Sequence, residues 1–217
     1  MEVLNLKKHG LNACVKEAVK VVRGGGVVIY PTDTLYGLGA DALSDKAVGK
    51  IYQIKGRDER KPIHTIVADM KMMEQYAEIP DMARMLAKEF LPGPLTLILG
   101  KKKGIKTGIA KRTKKIGFRI PDNPFCLALA KKFGKPITTT SANLSGHKAE
   151  RTLSAILKQF GLRTKDVDLA IDAGVLPAHR NEQQPSTVVD LVGKEPIILR
   201  EGAIPVDEIW NAIRVEM

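Results

Sequence analysis

Cysteines, aromatic residues and long apolar runs are all scarce or missing in this chain of 217 residues. Its two cysteines, Cys14 and Cys126, lie in unrelated contexts, which excludes a disulfide framework and a cysteine-based zinc motif. No stretch reaches the roughly 18 consecutive apolar residues of a membrane span. The first residues, MEVLNLKKHG, lack the apolar core of a signal peptide. We therefore expect a cytoplasmic protein without membrane association.

The usual signatures of glycine-loop, hydrolase and metal chemistry are also missing. Neither GxxxxGK[ST] nor GxGxxG occurs, and the glycines at 24–26 come before an apolar strand instead of after one. That run therefore predicts a helix-to-strand turn. There is no GxSxG elbow, and the four histidines show no metal-ligand spacing. We expect neither a catalytic nucleophile nor a metal bound by protein side chains.

Positive charge is in clear excess. Thirty-five Lys and Arg residues against 24 Asp and Glu residues give a formal net charge of +11. Nine of the basic residues fall within residues 101–119, a stretch that contains no acid. Such a bias favours polyanionic partners, such as nucleic acid or nucleotide phosphates, but a solvated basic surface has the same composition.

The order of the apolar patterns predicts one α/β domain over residues 1–217. No linker or repeat divides the chain. We expect a single twisted mixed β-sheet flanked by helices. The predicted strands are 27–30, 63–68, 95–99, 116–120, 137–140, 169–171, 187–192 and 197–199, and the predicted helices are 11–22, 45–55, 81–90, 124–133, 153–160 and 206–213.

Three polar segments next to these elements have side chains that suit a small polar ligand. Residues 31–38, PTDTLYGL, form a predicted loop after the first strand. Residues 55–61 carry basic side chains at the end of a helix, and residues 137–146 lead from a strand into a hydroxyl-rich turn. Each has a purely structural alternative, namely a capped turn, a basic helix C-terminus and an N-cap. Residue types alone leave these alternatives open.

Seven motifs in a fixed order make the chain resemble the YrdC/YciO family of threonylcarbamoyl-adenylate synthases from about residue 21 to residue 204. They are PTDTLYGLGAD (31–41), KGRDERKP (55–62), PGPLT (92–96), FRIPDNP (118–124), SANLSG (141–146), STVVDL (186–191) and LREGAI (199–204). TDTLYGL, TTTSAN and REGA resemble the YciO branch. Because the chain ends just past this core, the resemblance implies no extra C-terminal domain.

The resemblance implies a twisted sheet around a large electropositive cavity and a nucleotidyltransferase reaction. L-threonine, bicarbonate or CO₂ and ATP, accompanied by Mg²⁺, give threonylcarbamoyl-AMP and pyrophosphate. Separate tRNA threonylcarbamoyl transferase proteins then move the threonylcarbamoyl group to an adenosine of tRNA.

The resemblance also implies two groups of site residues. Those implied for ATP are Lys55, Arg57, Lys115, Ser141, Asn143 and Arg200. Those implied for L-threonine are Thr32, His64, Arg119, Thr139 and Ser186. Arg119 is implied to bind the threonine carboxylate, which suits the planar fork of a guanidinium.

The segment after the KxR motif departs from the family pattern. Synthases commonly have PLIVH there, whereas this chain has PIHTI at 62–66, so Ile66 stands at the place of the family histidine. His64 lies two residues earlier, on the same face of a strand. We expect His64 to take part of that histidine's role.

A binding module is the alternative function. In that hypothesis the chain is YciO-like and holds double-stranded RNA in the same basic cavity, with little or no adenylation. Aromatic residues make up only 5% of the chain, which provides few platforms for stacking bases. Contact with duplex RNA would therefore depend on phosphates.

Overall fold

Ten strands form one mixed β-sheet in the computed structural model, which describes residues 1–176 and 184–215. The strands are β1 Glu2–Asn5, β2 Val28–Pro31, β3 Tyr36–Gly39, β4 His64–Ile66, β5 Leu95–Gly100, β6 Lys115–Arg119, β7 Ile137–Ser141, β8 Leu169–Asp172, β9 Thr187–Asp190 and β10 Ile197–Arg200. The α-helices are α1 Leu6–His9, α2 Leu11–Arg23, α3 Asp45–Lys55, α4 Met70–Tyr76, α5 Asp81–Phe90, α6 Pro124–Phe133, α7 Leu153–Phe160 and α8 Val206–Val215. Short 3₁₀ turns lie at Gly108–Ala110 and Gly161–Asp166. Every helix in the described ranges is too short or too polar to span a bilayer.

The strand order across the sheet is β1-β8-β2-β3-β7-β4-β6-β5-β9-β10. Pairing is parallel for β1/β8, β8/β2, β4/β6 and β5/β9, and antiparallel for the other neighbours. The predicted α/β class and mixed sheet are confirmed. Every predicted strand and helix is present, with bounds within two residues.

Strand β3 corrects the prediction of a loop over residues 31–38. Only residues 32–35 form the connection, and β3 then pairs antiparallel with β2. Because glycine is rare in strands, the sequence pattern does not indicate β3. Its glycines are needed because the Tyr30 ring lies against them: a Cβ on Gly39 would lie 2.5 Å from Tyr30 Cε1, and one on Gly37 would lie 3.0 Å from Tyr30 Cζ. Strand β1 and helices α1 and α4 are the other elements that the sequence interpretation omits.

Strand β2 is buried on both faces, as its apolar run predicts. Val27 and Ile29 pack in one cluster with residues of α3 and α7. Val28 and Tyr30 pack in another cluster with residues of α2 and α6. The glycine turn before β2 is the predicted helix-to-strand turn, because Gly24 caps α2 and Gly25 has a φ of 74°.

Strand β5 has one face in the core and one face toward a cavity. Leu95, Leu97 and Leu99 pack in a third apolar cluster that includes residues of α5 and α8. Side chains alternate along a strand, so Thr96 points to the opposite face, where it lines the cavity. This cavity lies over the central strands of the sheet.

Replacing Gly39 by alanine should destabilise the protein by about 1–3 kcal/mol, because the new methyl group overlaps the Tyr30 ring. Gly49 is the matched control, since it lies inside α3 and a Cβ there meets no atom within 4 Å. Gly49→Ala should stabilise the protein by about 0.5–1 kcal/mol. Urea unfolding measures both changes. Equal stability of Gly39→Ala and the wild type would contradict the packing argument.

Candidate active site

A cavity of about 330 Å³ brings together eight of the eleven predicted site residues. Its walls come from the turn after β2, from the loop between α3 and β4, and from strands β3, β4, β5, β6, β7, β9 and β10. The eight residues are Thr32, Arg57, His64, Arg119, Thr139, Ser141, Ser186 and Arg200. Within the described part of the chain, no Asp or Glu lines this cavity.

Arg119, at the end of β6, is held by three different acceptors. Its Nη2 donates to Asp33 Oδ1 at 2.6 Å, its Nη1 to Thr34 Oγ1 at 2.9 Å and its Nε to the Gly93 carbonyl at 3.2 Å. The side chains of Arg119 and Asp33 are each only 6% exposed. Asp33 Oδ2 also accepts the backbone N–H of Asp122 at 3.1 Å. These contacts use three of the five guanidinium N–H groups and balance the charge of Arg119.

Arg57 and Arg200 differ from Arg119, because their contacts in the described chain are with neutral oxygens. Arg57 Nη2 donates to the Pro62 carbonyl at 3.1 Å. Arg200 Nη2 donates to the Ser186 carbonyl at 2.7 Å and to Ser186 Oγ at 3.2 Å. Partial burial lowers the pKa of Arg200, and repulsion from Arg119 adds to the shift. Both guanidinium groups stay charged, so their part of the cavity wall carries uncompensated positive charge.

The turn at residues 32–35 is both a capped turn and part of the cavity wall. Thr32 Oγ1 donates to the Leu35 carbonyl at 2.7 Å and accepts the backbone N–H groups of Thr34 and Leu35. Thr32 also lines the cavity. The structural and ligand-binding alternatives for this segment therefore do not exclude each other.

His64 lines the cavity from β4, with its ring against Gly117 of β6. A Cβ on Gly117 would lie only 2.6 Å from His64 Cδ2, so glycine makes room for the imidazole. Burial lowers the pKa of His64 to about 4, and the positive charges of Arg200, Arg57 and Arg119 add to the shift. The imidazole is therefore neutral near pH 7. Ile66, at the place of the family histidine, instead packs in the apolar core.

Lys55 and Asn143 lie behind the cavity wall, where they fix the end of β7 at Ser141 and the turn that follows it. Lys55 Nζ donates to the Ser141 carbonyl at 2.5 Å, the Asn143 carbonyl at 2.7 Å and Asn143 Oδ1 at 3.2 Å. Ser141 Oγ donates to Asn143 Oδ1 at 2.5 Å. Lys55 is only 2% exposed, and its three N–H groups all have acceptors. Burial lowers the pKa of Lys55 to about 7, and Arg57 adds to the shift.

Lys115, at the start of β6, is the third predicted residue outside the cavity wall. Its Nζ forms an ion pair with Asp190 of β9. Three more basic residues within 101–119 also pair with acids from elsewhere in the chain: Lys111 with Asp45, Arg112 with Glu59 and Arg119 with Asp33. Although this stretch of sequence contains no acid, acids from elsewhere in the chain therefore compensate part of its charge. Arg119 is the one basic residue of the stretch that lines the cavity.

Residues 20–202 match the profile of the Sua5/YciO/YrdC family, which carries the description "Telomere recombination". The chain belongs to this family. It is 42% identical over 190 residues to a putative threonylcarbamoyl-AMP synthase of Methanocaldococcus jannaschii, covering 88% of this chain and 86% of that protein.

Solved structures of the Sua5/YciO/YrdC family have the same fold. The crystal structure of P. abyssi Sua5 complexed with L-threonine matches with a TM-score of 0.86 and 33% identity, over 98% of this chain and 61% of the Sua5 chain. E. coli YciO matches with a TM-score of 0.79 and 29% identity, over 96% and 98% of the two chains. The chain thus spans less than two thirds of Sua5. Its branch within the family stays a prediction.

Sequence interpretation of the Sua5/YciO/YrdC motifs missed three residues that shape the cavity. Asp33 and Thr34 contact Arg119 although they lie in PTDTLYGLGAD, whose Thr32 alone was assigned a role. Thr96, within the PGPLT motif, shares a hydrogen bond of 2.7 Å with Ser186 between their hydroxyl oxygens. An alternating strand with one polar residue among leucines is the signal that could have identified Thr96.

Lys55→Met should lower the slope of stability against pH between pH 7 and about pH 10. Because the folded-state pKa of Lys55 is about 7 and the ordinary value is 10.5, the unfolded chain binds a proton in this window that the folded chain has lost. Lys55 therefore adds a positive contribution of at most about 1.4 kcal/mol per pH unit to that slope, and it adds none below pH 7.

Unfolding in urea at several pH values measures this slope. Lys46→Met is the matched control, because it removes an exposed lysine from the same helix. That control should keep the wild-type slope. If Lys55→Met and the wild type had the same slope of stability against pH, Lys55 would not be the titrating group.

Proposed function

We propose that the chain is an L-threonylcarbamoyladenylate synthase. It uses L-threonine, bicarbonate or CO₂ and ATP, and it makes threonylcarbamoyl-AMP and pyrophosphate for the modification of tRNA. The observation that carries this proposal is the uneven charge of the cavity, where Arg119 is balanced by Asp33 while Arg57 and Arg200 are not balanced. The synthase names of its relatives and the L-threonine complex of P. abyssi Sua5 support it.

The paired guanidinium of Arg119 suits the amino acid. A carboxylate that meets the remaining N–H groups of Arg119 gains charge-assisted hydrogen bonds at a site whose geometry is already fixed. Hydroxyl groups of Thr32, Thr139 and Ser186 line the same cavity and supply further polar contacts. Neutral His64 offers a hydrogen bond to the amine or the hydroxyl of threonine.

The guanidinium groups of Arg57 and Arg200 suit the phosphates of ATP. Two guanidinium groups without carboxylate partners neutralise a polyphosphate better than a guanidinium that is already paired with a carboxylate. Ser141 lines the same cavity, while Lys55, Asn143 and Lys115 stay predictions as further contacts to ATP. Because no described carboxylate lines the cavity, Mg²⁺ would arrive with ATP and be held by phosphate oxygens and water.

The reaction needs positioning and charge neutralisation instead of a protein nucleophile. The amine nitrogen of threonine bonds to the carbon of CO₂ and loses a proton, which gives a carbamate. A carbamate oxygen then attacks the α-phosphorus of ATP, and pyrophosphate leaves with the bonding electrons. Because two anions must meet, the guanidinium groups lower the barrier by reducing their repulsion. The walls also limit the access of water to the labile mixed anhydride.

Threonylcarbamoyl-AMP would then pass to tRNA threonylcarbamoyl transferase proteins, which move the acyl group to adenosine. One assay separates the synthase from the alternative RNA-binding module. A synthase releases pyrophosphate from ATP only when both threonine and bicarbonate are present. A module that binds duplex RNA without adenylation would give no pyrophosphate above background under the same conditions.

Arg57→Ala should raise the KM for ATP by roughly 10- to 100-fold, which corresponds to the loss of a charge-assisted contact of about 1.5–3 kcal/mol. Arg60→Ala is the matched control, because Arg60 lies in the same loop, is exposed and pairs with Asp58. It should leave the KM unchanged. Pyrophosphate release at varied ATP concentrations measures both values. An unchanged KM in Arg57→Ala would remove Arg57 from the phosphate site.

Arg119→Lys should raise the KM for threonine far more than the KM for ATP. A lysine ammonium lacks the planar fork and cannot keep the three acceptors of Arg119 while it binds a carboxylate. Steady-state kinetics with each substrate varied in turn measures the two constants. Equal increases would move Arg119 to the phosphates, and normal threonine dependence would contradict its carboxylate role.

A further inference from the structure

We propose that Asp33 determines which anion Arg119 accepts, so that a monocarboxylate binds to Arg119 and a polyphosphate does not. This inference rests on the proposed function, because it assigns threonine and ATP to different arginines of one cavity. It adds a specificity-determining residue that no motif assignment included. Asp33 acts through Arg119 and does not itself bind the substrate.

The contacts of Asp33 make the ion pair with Arg119 a fixed part of the wall. Both side chains are only 6% exposed, and the N–O distance is 2.6 Å. Asp33 is held on its other oxygen by the backbone N–H of Asp122, and Arg119 is held by Thr34 and Gly93. An incoming anion therefore meets a paired guanidinium whose partner is anchored, and it does not simply replace that partner.

Charge then decides which anion can bind. A carboxylate with one charge can use the two remaining N–H groups of Arg119, and it adds one negative charge to a neutral pair. A polyphosphate would bring several negative charges next to the buried carboxylate of Asp33, where repulsion is poorly screened. At Arg57 and Arg200 the described chain places no carboxylate in contact with the guanidinium groups.

Without the charge of Asp33, the cavity would contain three uncompensated guanidinium groups within about 330 Å³. Pyrophosphate could then bind to all three groups and displace threonine. An enzyme that holds two anionic substrates in one cavity must keep each substrate on its own arginines. The Asp33 carboxylate has that role.

Isothermal titration calorimetry of L-threonine, with and without inorganic pyrophosphate, tests this proposal on the full chain. In the wild type, saturating pyrophosphate should leave the threonine Kd unchanged within about twofold, less than about 0.5 kcal/mol. In Asp33→Asn, which keeps the size of the side chain, the same pyrophosphate should raise the threonine Kd at least about tenfold, or about 1.4 kcal/mol.

Two control variants separate charge from structure. Asp122→Asn removes an exposed carboxylate from the neighbouring loop but keeps the backbone N–H that Asp33 accepts. It should behave like the wild type. Asp33→Glu retains the charge and should also resist competition by pyrophosphate. Asp33→Asn could also lose threonine affinity to the same extent with and without pyrophosphate. That result would indicate a merely structural role for Asp33 and overturn the proposal.

The wild type gives a decisive result even where Asp33→Asn fails to fold. If pyrophosphate displaces threonine from the wild-type protein, the proposed role of Asp33 is wrong. Threonine binding itself would still support the proposed function. Pyrophosphate and threonine that bind together, each with one site per chain, support it. Absence of threonine binding in the wild type would contradict both proposals.

Discussion

The buried ion pair between Asp33 and Arg119 is the interaction on which the geometry of the cavity depends. It joins the turn after β2 to the end of β6, and Asp122 extends the contact to the segment that precedes α6. Burying two charges costs desolvation energy that their attraction offsets only with further hydrogen bonds. Thr34, Gly93 and the Asp122 N–H supply those bonds. The result is a guanidinium of fixed orientation in the cavity wall.

A second set of polar contacts lies behind the cavity wall. The Lys55 side chain has no carboxylate partner among its contacts, which are three oxygen atoms of Ser141 and Asn143. It therefore acts on the turn after β7 through backbone carbonyls. The basic residues therefore differ in role: Lys55 holds the chain in place through hydrogen bonds, whereas Arg57 and Arg200 provide positive charge at the cavity wall.

Much of this arrangement could be predicted from sequence, because apolar periodicity and motif order are local signals. Helices α3, α5, α6 and α7 begin and end at the predicted residues. Strand β3 could not be predicted, because its glycines are required by the close contact with the Tyr30 ring on the neighbouring strand. The ion pairs of Lys111, Arg112 and Lys115 could not be predicted either, because each acid lies at least 53 residues away in sequence. The charge of a segment can be counted from its sequence, but the acids that pair with it are brought close only by the fold.

The central claim is that the paired arginine of the cavity binds the amino acid and the two unpaired arginines bind the phosphates. A crystal structure with L-threonine and α,β-methylene-ATP, in which the bond that would release pyrophosphate cannot break, tests it most directly. The account predicts the threonine carboxylate within hydrogen-bond distance of Arg119 and the phosphates within that distance of Arg57 and Arg200. Phosphate oxygens on Arg119, or the threonine carboxylate on Arg57 or Arg200, would contradict it.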